Sequence, residues 1–165
     1  MKNLIGIVDG KAVKLCDDPW SLLPAESASG KAILALGEWR DMVFDLQREF
    51  DYRQYGIILD PDDDPKIIDQ WVDKIPVIVL RFPSFRDGRA YSQASLLRTR
   101  YGYRGDLRAV GDVLRDQLAL MRHCGFSSFY VREDKSVEDA LKGLGGLDKI
   151  YARSVIQPEP RFRSR

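Results

Sequence analysis

The chain has few of the residues from which metal and redox sites are built. It contains two cysteines and one histidine among 165 residues. Cys16 and Cys124 stand far apart, so they supply neither a CxxC redox pair nor the spacing of a zinc site or an iron–sulfur cluster. His123 alone cannot build a histidine-rich metal site. We therefore expect no metal and no cofactor of its own, and any redox chemistry would use a cofactor that another protein carries.

Long apolar runs and common catalytic motifs are also missing. No stretch of about 18 apolar residues exists, which leaves no candidate for a transmembrane helix. The apolar N-terminus is interrupted at Asp9 before a signal-peptide core could form, so we expect a cytoplasmic location and no membrane contact. There is no GxxxxGK[ST] loop, no strand-linked GxGxxG, no GxSxG and no HExxH, which removes the motif-based case for several large enzyme classes.

Net charge is close to zero but is unevenly distributed. The formal charge is +1, which gives no general case for nucleic-acid binding. Residues 17–64 carry twelve acids against four bases, whereas residues 81–122 carry nine arginines against four aspartates. Clustered charge steers charged partners, although arginines can also lie over apolar surface and pair with nearby aspartates. The arginine-rich stretch is therefore the first place to look for a site.

Apolar patterning predicts an α/β protein. Residues 4–15 with Asp9-Gly10 at their centre predict a β-hairpin, and residues 17–30 predict a loop. Five short, continuous apolar runs, each followed by a helical pattern, are typical of parallel strands covered on both faces. The runs are Ala32–Leu36, Gly56–Leu59, Val77–Phe82, Leu107–Val110 and Ser128–Val131. This predicts an N-terminal hairpin and about five βα units in a mostly parallel sheet, arranged as an incomplete α/β barrel or as a doubly wound open sheet.

The same pattern predicts the domain organisation. We expect one α/β domain over residues 1–156, with the hairpin in residues 1–16 and a flexible basic tail in residues 157–165. In both candidate architectures, functional residues lie at the carboxyl ends of the strands.

The loop after the third predicted strand is the strongest candidate for a binding site. Arg86 and Arg89 flank the Asp87-Gly88 turn, and Tyr91 and Ser92 begin the following helix. Guanidinium groups beside a helix N-terminus suit an oxyanion such as sulfite, sulfate, phosphate or carboxylate. The alternative is that Asp87 pairs with one of the arginines and merely braces the loop.

Two carboxylates at the next strand end are candidates for catalysis. Asp112 is positioned to cap a helix that also carries Asp116 one turn later, so both carboxylates would face the same way. Paired carboxylates can divide acid and base roles, although a salt-bridge network is the simpler interpretation. The neighbouring Arg81, Arg115 and Gln117 complete the predicted anion or partner site.

These segments resemble a known bacterial family. The sequences FRDGRAYSQA and LRAVGDVLRDQL are similar to those of the family catalogued as domain of unknown function 934, and the resemblance extends over roughly residues 30–133. His123 and the pair Ser127-Ser128 depart from the pattern at its edge. Members are typically encoded beside the sulfite reductase haemoprotein and phosphoadenylylsulfate reductase, and are labelled as oxidoreductases of sulfite reduction.

The resemblance implies a first hypothesis and leaves two others open. The first is an accessory protein of assimilatory sulfate and sulfite reduction, in cysteine biosynthesis, that works with sulfite reductase through its arginines. The second is a small barrel-like enzyme acting on a phosphorylated or sulfated metabolite, with Asp112 or Asp116 as the base. The third is a structural homodimer, in which a second copy closes the open edge of an incomplete barrel.

Overall fold

The structure is a computed structural model that describes residues 3–22, 30–45, 49–144 and 155–156. Eight strands are present in this part of the chain: β1 Leu4–Val8, β2 Lys11–Lys14, β3 Trp20–Leu22, β4 Lys31–Ala35, β5 Tyr55–Leu59, β6 Val77–Phe82, β7 Asp106–Gly111 and β8 Ser128–Tyr130. The α-helices are α1 Leu36–Phe44, α2 Arg89–Thr99, α3 Arg115–His123 and α4 Val137–Leu144. Two 3-10 segments, Tyr52–Gln54 and Pro65–Lys74, precede β5 and β6.

All eight strands form one sheet in the order β2-β1-β8-β7-β6-β5-β4-β3. Strands β3 to β8 are parallel and follow the order of the chain, while β1 is antiparallel to both β8 and β2. A doubly wound sheet needs a reversal of strand order, and the described strands contain none. Successive right-handed crossovers in one direction place the helices on one face, so the sheet curls into a half-barrel.

The connection between β2 and β3 shows how strongly the sheet is curled. These strands are the two opposite edges of the sheet, yet only residues 15–19 join them. Six residue steps reach at most about 22 Å, at roughly 3.6 Å each. Eight strands laid flat would separate their edges by about 34 Å, at roughly 4.8 Å per neighbour. The chain can make this connection only because the edges curl toward each other.

The connecting residues 15–19, which we call the strap, are anchored to the inner, concave face of the sheet. Leu15 donates its N–H to the Leu4 carbonyl at 2.9 Å, and its side chain occupies the space left by the missing Cβ of Gly6. Asp18 forms a two-pronged ion pair with Arg108 of β7, at 2.8 and 3.0 Å. Both side chains are buried, at 4% and 2% exposure. The strap is therefore tied to the concave face through Leu15 and Asp18, while Cys16 and Asp17 remain exposed.

Strand residues alternate between two apolar clusters, one on each face of the sheet. The larger cluster lies under the helices and includes Ile57, Ile78, Leu80 and Phe129, together with Trp39 of α1. The smaller cluster fills the concave face and consists of Trp20, Ile33, Ile58, Val77, Val79 and Val110, with Tyr130 packed against it. Burial on both faces explains why these strands are continuous apolar runs in the sequence.

Several predicted elements are confirmed, and their boundaries move by a residue or two. The hairpin is present, and its turn residues Asp9 and Gly10 have φ of 49° and 78°, as a type I′ turn requires. Each of the five apolar runs is a strand. Ser136 precedes α4, and its hydroxyl accepts from the Asp139 N–H at 3.3 Å. The tail at 157–165 lies outside the described residues.

Other predictions are wrong. The segment 17–30, predicted as a loop, contains β3, and residues 23–29 lie outside the described part. The helix expected from Asp112 begins only at Arg115, after Leu114 as its N-cap. The reason is that Gly111, at φ 97°, turns the chain so that Asp112 donates its N–H to the Phe82 carbonyl at 2.8 Å.

No helix in the described residues is long and apolar enough to cross a membrane.

Candidate functional site

The carboxyl ends of the parallel strands carry the predicted site, and the loop 83–88 after β6 is its most prominent part. Two side chains from the β7–α3 region hold this loop. Asp112 Oδ2 accepts the Phe85 N–H at 2.8 Å, and Gln117 Nε2 donates to the Phe85 carbonyl at 2.9 Å. Both backbone groups of Phe85 are thus fixed from a neighbouring strand end. Gln117, predicted as a ligand-binding residue, instead positions this loop.

The Asp87 carboxylate occupies the place predicted for an external oxyanion. It accepts from the Arg89 backbone N–H at 3.1 Å and from the Arg89 guanidinium at 3.0 and 2.6 Å. Arg89 also pairs with Asp62 from the loop after β5. These hydrogen bonds lower the pKa of Asp87 and raise that of Arg89. The bracing alternative therefore describes this turn, because the helix N-terminus and the guanidinium already hold an anion of the chain itself.

Arg81 is also paired at the strand ends. It is the penultimate residue of β6, and its Nε is 3.3 Å from Oδ1 of Asp60, which directly follows β5. The backbone of that acidic loop is held by buried Gln93 of α2, which donates to the carbonyls of Asp60 and Asp63 at 2.9 and 2.8 Å. Arg81 and Asp60 remain half-exposed, with 48% and 55% of their side-chain surfaces open.

Asp112 is at the centre of a network that crosses three strand ends. Besides the Phe85 N–H, its carboxylate accepts from Arg132 after β8 at 2.8 Å, and Arg132 also pairs with Asp134 at 2.9 Å. Two hydrogen bonds lower the pKa of Asp112, and the one from Arg132 has a larger effect than the one from the Phe85 N–H. A general base works best with a pKa near the working pH, so this carboxylate is a poor proton acceptor.

Asp116 is not placed beside Asp112 by helical spacing. It lies in the first turn of α3, whereas Asp112 precedes the helix, so the predicted i and i+4 pair does not exist. Asp116 is exposed. The catalytic role of these two aspartates stays a prediction, and its geometric premise is wrong.

Arg115 lies apart from the loop 83–88, between α3 and α4. Its guanidinium pairs with Asp139 of α4 at 2.7 Å. Its side chain and carbonyl pack so closely against Gly143 that a Cβ there would lie 2.7 Å and 2.8 Å from them. A cavity of about 360 Å³ lies beside this pair and is also lined by Lys135 and Ser136. Arg115 therefore joins two helices and does not extend the site around β6.

The two predicted residues on α2 divide between core and surface. Tyr91 packs edge-on against Phe82, with ring centroids 5.1 Å apart, and burial raises its pKa. Ser92 is exposed on the same helix. Tyr91 thus packs mainly against the larger apolar cluster, which lies between the sheet and the helices.

Sequence reasoning missed Phe85, an exposed aromatic residue of this loop. Phe85 is 50% exposed although both of its backbone groups are hydrogen-bonded. The Arg86 guanidinium carbon lies 5.4 Å from the centroid of the Phe85 ring. Of the described residues, no carboxylate pairs with Arg86, in contrast to Arg81 and Arg89. A large apolar residue next to an arginine in a loop between a predicted strand and helix is the sequence signal that could have identified it.

These contacts define what the strand ends can do. The arginines there are largely neutralised by carboxylates from neighbouring loops, so they form a rigid, mixed-charge network and not a positive pocket. Within the described ranges, no group of three or more histidine, cysteine or acidic side chains is arranged to hold a metal ion. What projects from the network is Phe85 with Arg86, which we call the rim tip.

Comparison with known proteins identifies the family. A family model described as a bacterial protein of unknown function, DUF934, matches residues 56–162. The chain belongs to this family. The match begins later and ends later than the resemblance over residues 30–133, and it takes in strands β6 to β8 with the whole of the candidate site. No curated protein and no solved structure matches the chain.

Proposed function

We propose that this protein is a cytoplasmic accessory protein of assimilatory sulfate and sulfite reduction, and that it docks on sulfite reductase through the rim tip. The half-barrel, taken as five βα units behind an N-terminal hairpin, acts as the scaffold that presents this tip. Docking fits the site better than oxyanion binding, because Asp87 already fills the expected oxyanion position.

The observation that carries the proposal is the rigid exposure of Phe85 and Arg86. Aromatic and arginine side chains dominate the energetics of protein interfaces when they are presented in a fixed conformation. Here Asp112 and Gln117 hold the backbone, so little conformational entropy is lost when the tip is buried. Half of the Phe85 surface is available to a partner.

The choice of partner rests on the family resemblance, whose members are typically encoded beside sulfite reductase. A protein that lacks a redox motif of its own would contribute by positioning the proteins that carry the redox centres. The enzymatic alternative is weaker because Asp112, its candidate base, is held ionised by Arg132.

The test is direct binding of the purified protein to purified sulfite reductase, measured by biolayer interferometry. Replacing both Phe85 and Arg86 with alanine should weaken binding by about 30-fold or more, since a single interface hot spot is worth roughly 2 kcal/mol. A matched control replaces Phe44, which is 60% exposed on α1, and should bind like the wild type.

Two results would contradict the proposal. If the wild-type protein shows no affinity for sulfite reductase, the assigned partner is wrong. If it binds but the double variant binds equally well, the rim tip is not the contact surface. Thermal unfolding of each variant shows whether the fold is retained, and growth on sulfate as the sole sulfur source gives the corresponding result in cells.

A further inference from the structure

A second exposed basic surface lies at the opposite end of the half-barrel. Residues 100–105 join α2 to β7 at the amino ends of the parallel strands, and we call them the α2–β7 turn. Arg100 and Arg104 are exposed there. These two arginines are not among the residues of the predicted site, and the proposed function does not use them.

The arginines of this turn differ from those at the carboxyl ends of the strands in their partners. At that other end, Arg81, Arg89 and Arg132 each lie within 3.3 Å of a carboxylate oxygen. In the described part of the chain, no carboxylate forms an ion pair with Arg100 or Arg104. Among the described residues, these two exposed cations on one short turn thus have no carboxylate partner.

The backbone of the turn is held in place by hydrogen bonds from the Arg98 side chain of α2. The Arg98 guanidinium donates to the carbonyls of Tyr103, Gly105 and Gly125, at 2.8, 2.9 and 2.8 Å. Tyr103 is buried, and its hydroxyl donates to the Asp106 carbonyl at 3.1 Å. The turn is thus fixed by internal hydrogen bonds, and its outer side chains are presented in a defined arrangement.

The outer side chains combine charge with an aromatic surface. The Arg100 guanidinium carbon lies 5.9 Å from the centroid of the half-buried Tyr101 ring. Gly102, with φ of 66°, lies between the half-buried Tyr101 and the buried Tyr103, and Arg104 beyond them is exposed. A planar guanidinium presents a fork of donors that matches a carboxylate in two-point contact.

We propose that the α2–β7 turn binds an acidic segment of a partner protein, with Arg100 and Arg104 pairing with its carboxylates. A nucleic acid is the less suitable occupant, because phosphate backbones are bound by extended basic stripes and the chain carries a net charge of only +1. This surface lies at the other end of the strands from the rim tip, so the inference does not rest on sulfite reductase. An adaptor with one docking surface at each end could hold two proteins together.

The experiment is a fluorescence anisotropy titration with a labelled ten-residue glutamate peptide, and in parallel with a labelled single-stranded DNA of ten nucleotides. The wild-type protein should bind the peptide more tightly than the DNA, and its affinity should fall with added salt. Replacing Arg100 and Arg104 together with alanine should weaken peptide binding about tenfold, the combined effect expected of two exposed ion pairs.

Two control variants separate this surface from others. Arg40→Ala removes an exposed arginine from α1 and should bind the peptide like the wild type. The Phe85→Ala/Arg86→Ala double variant should also retain the peptide, although it fails in the sulfite reductase assay. A second change at the turn, Arg100→Glu with Arg104→Glu, should abolish peptide binding while the circular dichroism spectrum stays that of the wild type.

Three outcomes would overturn the inference. The first is a wild-type protein with no measurable affinity for the glutamate peptide. The second is an Arg100→Ala/Arg104→Ala variant that binds the peptide as the wild type does. The third is tighter binding to DNA than to peptide, lost in the same variant, which would make the turn a nucleic-acid contact.

Discussion

The buried ion pair between Asp18 and Arg108 gives the most demanding test of the fold. Asp18→Ala removes one of the two carboxylates that contact the guanidinium, whose Nη2 also lies 3.0 Å from Asp106. Removing one partner of a buried ion pair costs about 3–5 kcal/mol, because the other charge remains in a poor solvent. Since Asp106 still compensates part of that charge, we expect about 3 kcal/mol, at the lower end of the range.

Urea unfolding followed by circular dichroism measures this loss. With a slope near 2 kcal/mol/M, the midpoint should fall by about 1.5 M. Asp17→Ala is the matched control, because Asp17 is the exposed neighbour on the same strap and should change the free energy of unfolding by less than about 0.5 kcal/mol.

A double-mutant cycle identifies the origin of the effect. The cycle uses Asp18→Leu, Arg108→Met and the two changes together. The double variant should recover about 2 kcal/mol relative to the worse single variant, because the remaining Asp106 carboxylate is 31% exposed and keeps its hydrogen bonds from Ser127 and Ser128. A loss below about 1 kcal/mol in Asp18→Ala, or strictly additive effects in the cycle, would refute the view that this pair secures the strap.

Three further predictions concern single residues. Gly111→Ala should lower the free energy of unfolding by about 3 kcal/mol or more, because a Cβ at φ 97° would lie 2.3 Å from a β6 carbonyl oxygen. The control is Gly37→Ala in α1, where a Cβ meets open space, and it should leave that free energy unchanged or raise it by up to about 1 kcal/mol. Cys16 should react with a thiol reagent well before Cys124, whose pKa is raised by burial, and equal rates at pH 7.5 would contradict this. The hydrogen bonds from Arg132 and Phe85 lower the pKa of Asp112, so they stabilise the fold above about pH 4 and this stabilisation is lost as pH falls through the folded-state pKa. An NMR titration of the Asp112 carboxyl group with a midpoint at or above about 3.9 would show that these hydrogen bonds are absent.

The sequence predicted most of the strands because burial on both faces leaves an uninterrupted apolar run. It failed at the three-residue strand Trp20–Leu22, because the apolar stretch between Pro19 and Pro24 is too short to distinguish a strand from a loop. Sequence alone also left the half-barrel and the doubly wound sheet as alternatives. The strand order, together with the five-residue strap, distinguishes them.

The sequence predicted that the candidate residues lie at or near the carboxyl ends of the strands, but it could not predict which charges pair there. Whether Arg81 is available depends on Asp60, which lies on a different strand, and whether Asp112 is a helix cap depends on the φ of Gly111. Both facts are tertiary. The carboxylate partners of the arginines come from other loops, and local patterns do not contain that information.

The pairing of β1 with β8 has a consequence for synthesis on the ribosome. Leu4 and Ile5 are fully buried in the finished fold, but the strand beside them is formed by residues near position 129. At roughly 5–20 residues per second, the hairpin waits about 6–25 s before β8 is made. During that interval an apolar strand edge remains open to solvent and to other nascent chains, so we expect the hairpin to need protection from aggregation until β8 is made.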